Sequence, residues 1–487
     1  MKVIGVDNTI LQRRGWQGAA ALGCLLVAAI VVVACSSGSV NTASGMGTVS
    51  VMLSDPATCQ APSGPYSHVW VTITDVQANV SSTASPTDSS WTDLTPNLSK
   101  SPKQIDLLGQ ANNQCFLATL GGSLQLQAGN YQQIRVILAA NSPSITNSVC
   151  GTATNCLVLA SDGSTHTLNL SSEAQTGIKI PSGQIANGAF NIAAGQTKDL
   201  DIDFNTCCSI VQEANGQYRM KPVLWAGEVS TTSTSINGTV VDVNTGKPVS
   251  GSVLVAVEQK DSTGVDRVER STLAGADGTF VFCPLPAGTY DVVIVGTRSD
   301  GSMYAPAIIT GVSVGSTTGM VQLNLAATAT SATSVTTLNG EVTSQNSSNQ
   351  GTVADVTLTA LTTIGTTSPV TYTIPLPPTS TQNSFGLAVE TAAPSGTNVC
   401  TPASGVDCTN YSMSLPASGV YIGAWSASGA SLTANATWGN YTVDGVAVVP
   451  GSGGTSDCSP SELKSPAITL TATGTQPVST LGFTQCQ

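Results

Sequence analysis

The chain has 487 residues, of which only 9% are charged, and its formal net charge is −12. This length leaves room for about three domains. Charged residues usually make up about 25% of a soluble protein, so Ser, Thr, Asn, Gln and Gly must cover most of this surface. The sequence has no basic stripe, which excludes a protein that binds nucleic acid through patches of Lys and Arg.

The first residues of the chain have the pattern of an export signal. Arg13 and Arg14 precede an apolar run from Ala19 to Ala34, which is shorter than the roughly 20 residues that a membrane-spanning helix needs. A charged start, a short apolar segment and a small residue before the cut are typical of a secretory signal. Val32-Val33-Ala34-Cys35 resembles a bacterial lipobox, in which the cysteine after the cut carries lipid chains. The resemblance predicts a signal peptide over residues 1–34 and a lipid anchor on Cys35.

Ser36 follows the predicted lipid-bearing cysteine. In lipoproteins of this kind, an Asp at that place typically retains the protein in the inner membrane. We therefore predict a lipid-anchored protein of the bacterial outer membrane, on either its periplasmic or its external face. Residues 35–46 are rich in Ser, Gly, Asn and Thr without an apolar period, which is typical of a flexible tether.

The chain has thirteen cysteines, and disulfides are their expected state in an oxidising compartment. Cys24 lies in the signal and Cys35 is the lipid site, so an odd number remains and at least one thiol has no partner within the chain. Cys283, in an apolar strand pattern, is the candidate for it. Spacing suggests disulfide pairs without proving connectivity. The predicted pairs are Cys150 with Cys156, Cys400 with Cys408, Cys59 with Cys115, and Cys458 with Cys486.

Residues 47–230 are predicted to form a β-rich domain. Val69 to Val76 alternates with β-branched residues, and Tyr131 to Leu138 follows a Gly-Asn turn, as short strands do. A set of motifs in the expected order resembles family 4382 of the domains of unknown function. These motifs are Leu53 to Ala57, Tyr131 to Leu138, Gln175 to Ile180, Phe190 to Gly195, Lys198 to Phe204, Ser209 to Val211 and Tyr218 to Leu224. That family occurs in bacterial lipoproteins and other exported proteins. The resemblance implies location and fold, and it implies no activity.

Asp199, Asp201 and Asp203 alternate along one predicted strand. They would share one face, about 7 Å apart, and carboxylates so spaced cannot all chelate one ion without help from other loops. A solvated strand face is the favoured interpretation. Asp203, with Asp55 elsewhere, is the better candidate if an ion is bound, but no metal site is predicted.

Residues 234–326 are predicted to form a second β-sandwich. Ile236-Asn237-Gly238-Thr239-Val240-Val241-Asp242, Asp277-Gly278-Thr279-Phe280 and Leu285 to Tyr290 combine glycine turns with strand residues. These motifs resemble the carboxypeptidase regulatory-like domain, a prealbumin-like sandwich without a zinc site. Such domains share the broad fold of starch-binding modules, so carbohydrate binding is implied by fold analogy alone.

Residues 336–487 are predicted to form a third sandwich. Leu338-Asn339-Gly340-Glu341-Val342 echoes the start of the second sandwich, and Leu415 to Tyr421 echoes Leu285 to Tyr290. The third sandwich is therefore interpreted as a diverged, enlarged copy of the second. The predicted fold class is all-β, with tandem β-sandwich modules after the lipoprotein signal peptide.

The sequence favours binding over catalysis. Its two histidines, His68 and His166, lie beside no nucleophile motif, so we predict a protein that is not an enzyme and needs no cofactor. Carbohydrate is the leading ligand class, since Trp425, Trp438 and Tyr441 could offer flat rings to sugars. Tryptophan is usually largely buried, so a core role for these residues is the alternative. A structural or adhesive protein that binds other envelope proteins is the contrasting hypothesis.

Overall fold

Strands dominate the chain, as the two-residue period of its sequence predicts. The structure, a computed structural model, describes residues 45–54, 65–110, 118–142, 145–170, 177–180, 182–185, 188–206, 209–213, 215–220, 224–229, 235–249, 251–282, 285, 288–325, 335–366, 368–376, 386–395, 400, 405–435, 440–449, 458–470 and 474–487. The predicted all-β fold class is confirmed. The predicted signal peptide, Cys35 and nearly all of the tether lie outside the described residues. No helix in the described part is long and apolar enough to cross a membrane.

The N-terminal module consists of the strands around the first hydrophobic core. Two sheets, ordered β15-β12-β1-β5 and β10-β7-β2-β8-β9-β14-β13, enclose that core, while β3 and β4 pair with β2 and β6 pairs with β11. The described helices are α1 (Leu107–Gln110), one turn long, and a short 3-10 helix (Ser182–Gln184). The strands are β1 (Met46–Ser54), β2 (Tyr66–Asn79), β3 (Thr92–Asp93), β4 (Lys103–Asp106), β5 (Ala118–Gln127), β6 (Gly129–Tyr131), β7 (Gln133–Leu138), β8 (Cys156–Leu159), β9 (Thr165–Asn169), β10 (Ile178–Ile180), β11 (Phe190–Ile192), β12 (Thr197–Phe204), β13 (Ile210–Gln212), β14 (Tyr218–Met220) and β15 (Leu224–Val229).

The middle module and the C-terminal module surround the other two cores. The middle strands are β16 (Ile236–Asp242), β17 (Gly251–Lys260), β18 (Val265–Leu273), β19 (Thr279–Phe282), β20 (Thr289–Arg298), β21 (Ala307–Ser313) and β22 (Thr317–Leu323). The C-terminal strands are β23 (Val335–Ser344), β24 (Asp355–Ile364), β25 (Val370–Ile374), β26 (Leu387–Glu390), β27 (Asp407–Pro416), β28 (Tyr421–Ala424), β29 (Thr433–Ala434), β30 (Asn440–Val448), β31 (Glu462–Lys464), β32 (Ile468–Thr469), β33 (Gly474–Pro477) and β34 (Leu481–Phe483).

The middle and C-terminal modules repeat one strand order. The sheet β19-β16-β22 has its counterpart in β27-β23-β33, and in both the central strand is antiparallel to one neighbour and parallel to the other. The echoed Asn-Gly motifs place a glycine under an aromatic ring. A Cβ on Gly238 would lie 2.8 Å from the Phe280 ring, and one on Gly340 would lie 2.4 Å from the Tyr411 ring. The diverged-copy interpretation and the predicted domain boundaries stay predictions.

One continuous sheet joins these two modules. Its order is β29-β28-β21-β20-β17-β18-β25-β24-β30-β31, so the edge strands β18 and β25 pair in parallel across the junction. Strand β20 is buried on both faces: Val292 and Ile294 belong to the middle core, whereas Val293 and Val295 belong to the C-terminal core. A strand covered on both sides has a continuous apolar sequence, as residues 292–295 do.

The hairpin β28–β29 is an arm of the C-terminal module. It leaves its own module after β27 and adds β28 in parallel to β21, at the far edge of the middle sheet. The N-terminal, middle and C-terminal modules belong to one compact unit that begins at residue 43.

Candidate functional site

Tyr441 lies in the C-terminal core. Its side chain is fully buried, and its hydroxyl donates to the Pro416 carbonyl oxygen at 3.5 Å. Burial raises the pKa of this phenol. A ring without an exposed face cannot stack on a sugar, so the prediction is wrong for Tyr441, which fills the core as large rings often do. Trp438 lies outside the described residues.

Trp425 lies in the arm and packs on the middle module. Its backbone N–H donates to the Thr310 carbonyl oxygen of β21 at 2.7 Å. The indole is partly buried and, with Ala430 and Leu432, covers the core of the middle module. Trp425 therefore helps to join two modules. Its role as a sugar platform stays a prediction.

The acidic face of β12 is not solvated. Asp201 and Asp203 point away from the core of the N-terminal module, yet they are only 1% and 2% exposed. Arg270 of the middle module covers them, with its Nε 3.1 Å from an Asp203 carboxylate oxygen, and the Ser54 hydroxyl donates to Asp201 at 2.8 Å. Burial raises the pKa of both carboxyls, that of Asp201 to about 7, although Arg270 opposes the rise. The predicted solvated face is therefore wrong for these two residues.

The ion candidates gain no support from this geometry. Asp203 faces a guanidinium where an ion would have to sit, and Asp55 lies outside the described residues. Among the residues that the structure describes, no group of three or more His, Cys, Asp or Glu side chains is placed to hold a metal ion. The expectation of a protein without a metal or cofactor stays a prediction.

Disulfides staple loops in two modules. Cys59, Cys115 and Cys283 lie outside the described residues, so neither the fourth predicted pair nor the predicted free thiol is seen. The described part contains three of the four predicted pairs, namely Cys150–Cys156, Cys400–Cys408 and Cys458–Cys486.

Arg219 on β14 ties the N-terminal module to the C-terminal module. Its two terminal nitrogens donate to the two Asp355 carboxylate oxygens at 3.1 and 2.5 Å, and one of them also donates to Glu390 at 2.5 Å. Its Nε donates to Glu213 of its own module at 3.1 Å. Burial alone would lower the pKa of Arg219, but Asp355 and Glu390 together raise it. A forked contact between planar groups fixes orientation as well as distance.

Arg267 and Arg270, both on β18, provide the other two links. Arg267 donates to Asp444, and to Glu462 at 2.9 Å, in the C-terminal module. Arg270 pairs with Asp203 of the N-terminal module. Every pair of modules is thus joined through a guanidinium. Breaking a buried pair of this kind leaves a charge without its partner and costs about 3–5 kcal/mol, so the three modules are held in a fixed arrangement.

His166 does not complete a hydrolytic triad with its neighbours. The Ser164 hydroxyl lies 2.8 Å from His166 Nε2, but Asp162 bonds to Ser164 at 2.7 Å. In a Ser-His-Asp triad the acid bonds to the histidine and orients it. Here the serine lies between the acid and the histidine, so the order of the contacts is wrong for that chemistry.

The aromatic shelf, defined as His68, Trp70 and Asp106, lies on the surface of the N-terminal module. His68 and Trp70 alternate along β2, so they share the face opposite the buried Val69 and Val71. Their ring centroids are 6.0 Å apart and their planes meet at 28°. The His68 side chain is 51% exposed, and Trp70 is partly exposed. Two near-parallel rings, one half exposed and the other partly exposed, therefore lie next to each other on this face.

Asp106 fixes the orientation of His68. It lies directly opposite Trp70 on β4, with one carboxylate oxygen 2.7 Å from His68 Nδ1 and the other accepting the Val69 N–H at 3.1 Å. A carboxylate only accepts hydrogen bonds, so Nδ1 is the donor and Nε2 of the neutral ring is left as an acceptor. Within the described residues, Nε2 has no hydrogen-bond partner of its own.

The loop of residues 150–156, here called the stapled loop because the Cys150–Cys156 disulfide closes it, borders the aromatic shelf. Cys156 lies opposite Trp70 on the other side of β2, and the indole packs against the Cys150–Cys156 disulfide. The Gln104 amide donates to the Thr154 carbonyl oxygen at 2.8 Å and so ties this loop to β4. The aromatic shelf therefore rests on backbone that is fixed by a disulfide and by hydrogen bonds.

The aromatic shelf was not among the sites predicted from the sequence. The spacing His68-x-Trp70 was an available signal, because it puts both rings on one face of a strand. Nothing in the sequence shows that Asp106, 38 residues after His68, lies beside them.

Trp91 is less accessible to a ligand than the rings of the aromatic shelf are. The Arg135 guanidinium carbon lies 4.2 Å from the centroid of its ring, an arrangement that attracts a cation to the ring face. The Trp91 N–H donates to the Ser85 carbonyl oxygen at 2.8 Å, and Arg135 Nε donates to Gln77 at 2.8 Å. One face of the Trp91 ring is therefore covered by the module itself.

Residues 46–222 match the family described as "Domain of unknown function (DUF4382)". The predicted resemblance to family 4382 is thereby confirmed over these residues. No curated protein matches the chain in sequence.

Comparison with solved structures finds distant likenesses. The Bacillus anthracis TIE protein is 11% identical over 90% of this chain and 50% of its own, with a TM-score of 0.15. The minor pilin of Streptococcus agalactiae is 11% identical over 52% of this chain and 96% of its own, with a TM-score of 0.17. A DUF3823 family protein from Bacteroides uniformis is 13% identical over 48% of this chain and 95% of its own, with a TM-score of 0.15. This chain thus spans half the length of the TIE protein, and scores this low assign no function to it.

Proposed function

We propose that the protein is a lipid-anchored, non-catalytic binding protein of the bacterial envelope, and that carbohydrate is its ligand class. The observation that carries the proposal is the set of ion pairs between modules. Arg219, Arg267 and Arg270 each pair with a carboxylate of another module, and each joins a different pair of modules. A protein fixed in this way presents a preformed surface, and a preformed surface loses little conformational entropy when a ligand binds.

Carbohydrate suits the chemistry of this surface. Sugars present neutral hydroxyls and apolar ring faces, and the chain is only 9% charged, with Ser, Thr, Asn and Gln as its main uncharged polar residues. Trp70 and Trp425 keep part of their rings exposed. The net charge of −12 favours a neutral polysaccharide over an acidic one.

The anchor and the location belong to the same proposal. Lipid chains on Cys35 would hold the protein on the outer membrane, and several acyl chains together give stable anchoring. Substitution Cys35→Ser should release the protein into the soluble envelope fraction and abolish its labelling by a radioactive fatty acid. A Cys35→Ser protein that stays in the membrane fraction would contradict the anchor.

A structural or adhesive role is the second candidate, favoured by one edge strand. In the described residues, β5 (Ala118–Gln127) pairs with β1 alone and so forms an edge of its sheet. An edge strand can accept a strand from another protein. Cross-linking in the envelope through a photoreactive residue at an exposed β5 position would detect such a partner.

A polysaccharide screen tests the ligand class. The chain from Ser36 to Gln487, which omits the predicted signal and lipid site, would be applied to a glycan array and to insoluble polysaccharides. Specific binding to neutral glycans is the expected result. If no glycan binds the folded chain, carbohydrate is the wrong class and the edge-strand role becomes the function to test.

A further inference from the structure

The geometry points to the aromatic shelf of the N-terminal module as a sugar-binding site, and we propose that it takes one pyranose ring of a neutral polysaccharide. This inference rests on the proposed function and deepens it, since it names the site and the form of the ligand. The site involves His68, Trp70 and Asp106, and it does not use Trp425.

Stacking is the first requirement of such a site. A pyranose ring presents C–H groups on one face, and these groups pack on the flat face of an aromatic ring. His68 and Trp70 are near-parallel at 28° with centroids 6.0 Å apart, and His68 is about half exposed. Both rings belong to one strand that is paired on both sides, to β4 and to β8. The two rings are therefore held in register with each other before any ligand arrives.

Hydrogen bonding is the second requirement. The 2.7 Å contact between Asp106 and His68 Nδ1 leaves His68 Nε2 as an acceptor for a sugar hydroxyl. The Trp70 indole N–H adds a donor, and within the described residues it makes no hydrogen bond. One acceptor and one donor beside a ring face match vicinal hydroxyls, each of which can both donate and accept.

Rigidity is the third requirement. The Cys150–Cys156 disulfide supports the side of Trp70 that faces β8, and the Gln104 amide ties the stapled loop to β4 at 2.8 Å. A platform that is already ordered keeps more of its contact energy as affinity.

The negative charge at the aromatic shelf favours neutral sugars over acidic ones. The aromatic shelf contains a carboxylate, Asp106, and the whole chain carries a net charge of −12. Uronic acids and phosphorylated glycans would meet repulsion there, and the repulsion would weaken as salt is added. A neutral hexose polymer is the ligand that this site fits.

Affinity electrophoresis of the Ser36–Gln487 chain tests the proposal. Native gels would contain a neutral glucan, mannan or galactan, and one gel would contain the acidic polygalacturonate. We expect a neutral polymer to retard the wild-type chain. His68→Ala removes one ring and its acceptor nitrogen, and Trp70→Phe removes the indole N–H donor and part of the stacking surface. Each change should raise the dissociation constant about tenfold. Asp106→Asn, which disturbs the orientation of His68, should weaken binding as well.

His166→Ala and Trp91→Phe are the matched controls, because they remove the other histidine and a covered tryptophan from the same module. Both should bind as the wild type does. His68 is half exposed, so His68→Ala keeps the test valid even if a change at Trp70 disturbs folding. Thermal melting of each variant checks the fold.

The outcomes separate the two proposals. Retardation of the wild type that His68→Ala and Trp70→Phe leave unchanged would overturn the site and leave the ligand class standing. Failure of every polymer, neutral or acidic, to retard the folded wild type would overturn both the site and the ligand class. Retardation by polygalacturonate alone would overturn the choice of a neutral sugar.

Discussion

Aromatic and charged residues have opposite roles in the aromatic shelf and at the junction, meaning the contacts that join the modules. In the shelf, His68 and Trp70 remain exposed on a fixed strand. At the junction, Trp425, Arg267 and Arg270 lie between modules, where they join them. In a chain with so few charged residues, a charge or a ring that would usually suggest a site is often structural. Substitutions at the junction should therefore change stability, and substitutions in the shelf should change binding.

Loss of Arg219 should give one of the two largest effects on stability. Arg219→Ala leaves Asp355 and Glu390 without the guanidinium that they share. Removing one partner of a buried ion pair typically costs about 3–5 kcal/mol. Urea unfolding monitored by tryptophan fluorescence measures the loss.

Arg298→Ala is the matched control for Arg219→Ala. Arg298 is about one-third exposed, and its nearest carboxylate contacts are 3.7 and 4.0 Å long. Exposed pairs of this kind contribute about 0–1 kcal/mol. Equal losses for the two variants would contradict the view that Arg219 locks the modules together.

Tyr441→Ala should destabilise the C-terminal core by a similar amount. Replacing a fully buried aromatic ring by Ala typically costs about 3–5 kcal/mol. Tyr441→Phe should cost much less, since the hydroxyl makes only a long contact of 3.5 Å to Pro416. Polysaccharide retardation should persist in Tyr441→Phe. Loss of binding by a folded Tyr441→Phe protein would return this residue to the list of ligand contacts.

Raising the pH from about 4 to about 7 should weaken the interface between the N-terminal and middle modules. Burial raises the pKa of Asp201 to about 7, from an ordinary value of 3.8. The folded state therefore holds this proton more tightly than the unfolded state, so its stabilising contribution is complete below the ordinary value and is lost as pH rises to about 7. One titrating group changes the free energy of unfolding by at most about 1.4 kcal/mol per pH unit. Chemical unfolding at pH 5 and pH 8 measures the slope.

Asp201→Asn and Asp203→Asn should differ in this measurement. Asp201→Asn removes the group that must ionise, so stability at pH 8 should rise and the slope between pH 5 and pH 8 should flatten. Asp203→Asn removes the carboxylate 3.1 Å from Arg270, so it should destabilise the protein at both values of pH. An unchanged slope in Asp201→Asn would show that other groups produce the pH dependence.

Trp425→Ala should have an intermediate effect. The indole is partly buried and covers the middle core together with Ala430 and Leu432. Its loss should cost about 1–3 kcal/mol, less than a fully buried ring, and should increase hydrogen exchange of the β28 amides, including the one at Tyr421 that donates to the Pro306 carbonyl oxygen. A folded Trp425→Ala protein that loses polysaccharide binding would move the site from the shelf to the arm.

His68→Ala should have the smallest effect on stability. Surface substitutions usually change the free energy of unfolding by less than about 0.5 kcal/mol, and His68 is half exposed. Thermal melting should therefore show almost no shift, although polysaccharide binding falls. A large loss of stability would mean that the hydrogen bond between His68 and Asp106 stabilises the fold. The aromatic shelf would then have a structural role, as the contacts between modules do.

The sequence by itself determined the strands, their turns and the local disulfides. The alternation of apolar and polar residues shows which face of each strand packs on a core. The short spacing of Cys150 and Cys156 favours a disulfide between these two residues. The sequence motifs were enough to predict the family model that matches residues 46–222. The echoed Asn-Gly motifs around Gly238 and Gly340 lie on β16 and β23, the central strands of two sheets with the same strand order.

Only the tertiary structure decided what covers the face of a strand that points away from the core of its own module. Asp201 and Asp203 alternate with apolar residues as a solvated strand does, yet the middle module covers them. Tyr441 has the same sequence signal as an exposed platform, yet it is fully buried. The physical reason is that a two-residue period divides a strand into two faces but carries no information about a partner sheet. Contacts between residues far apart in the chain arise only in the folded protein. Arg219 meets Asp355 when two modules pack together, and His68 meets Asp106 when the strands of one module pair.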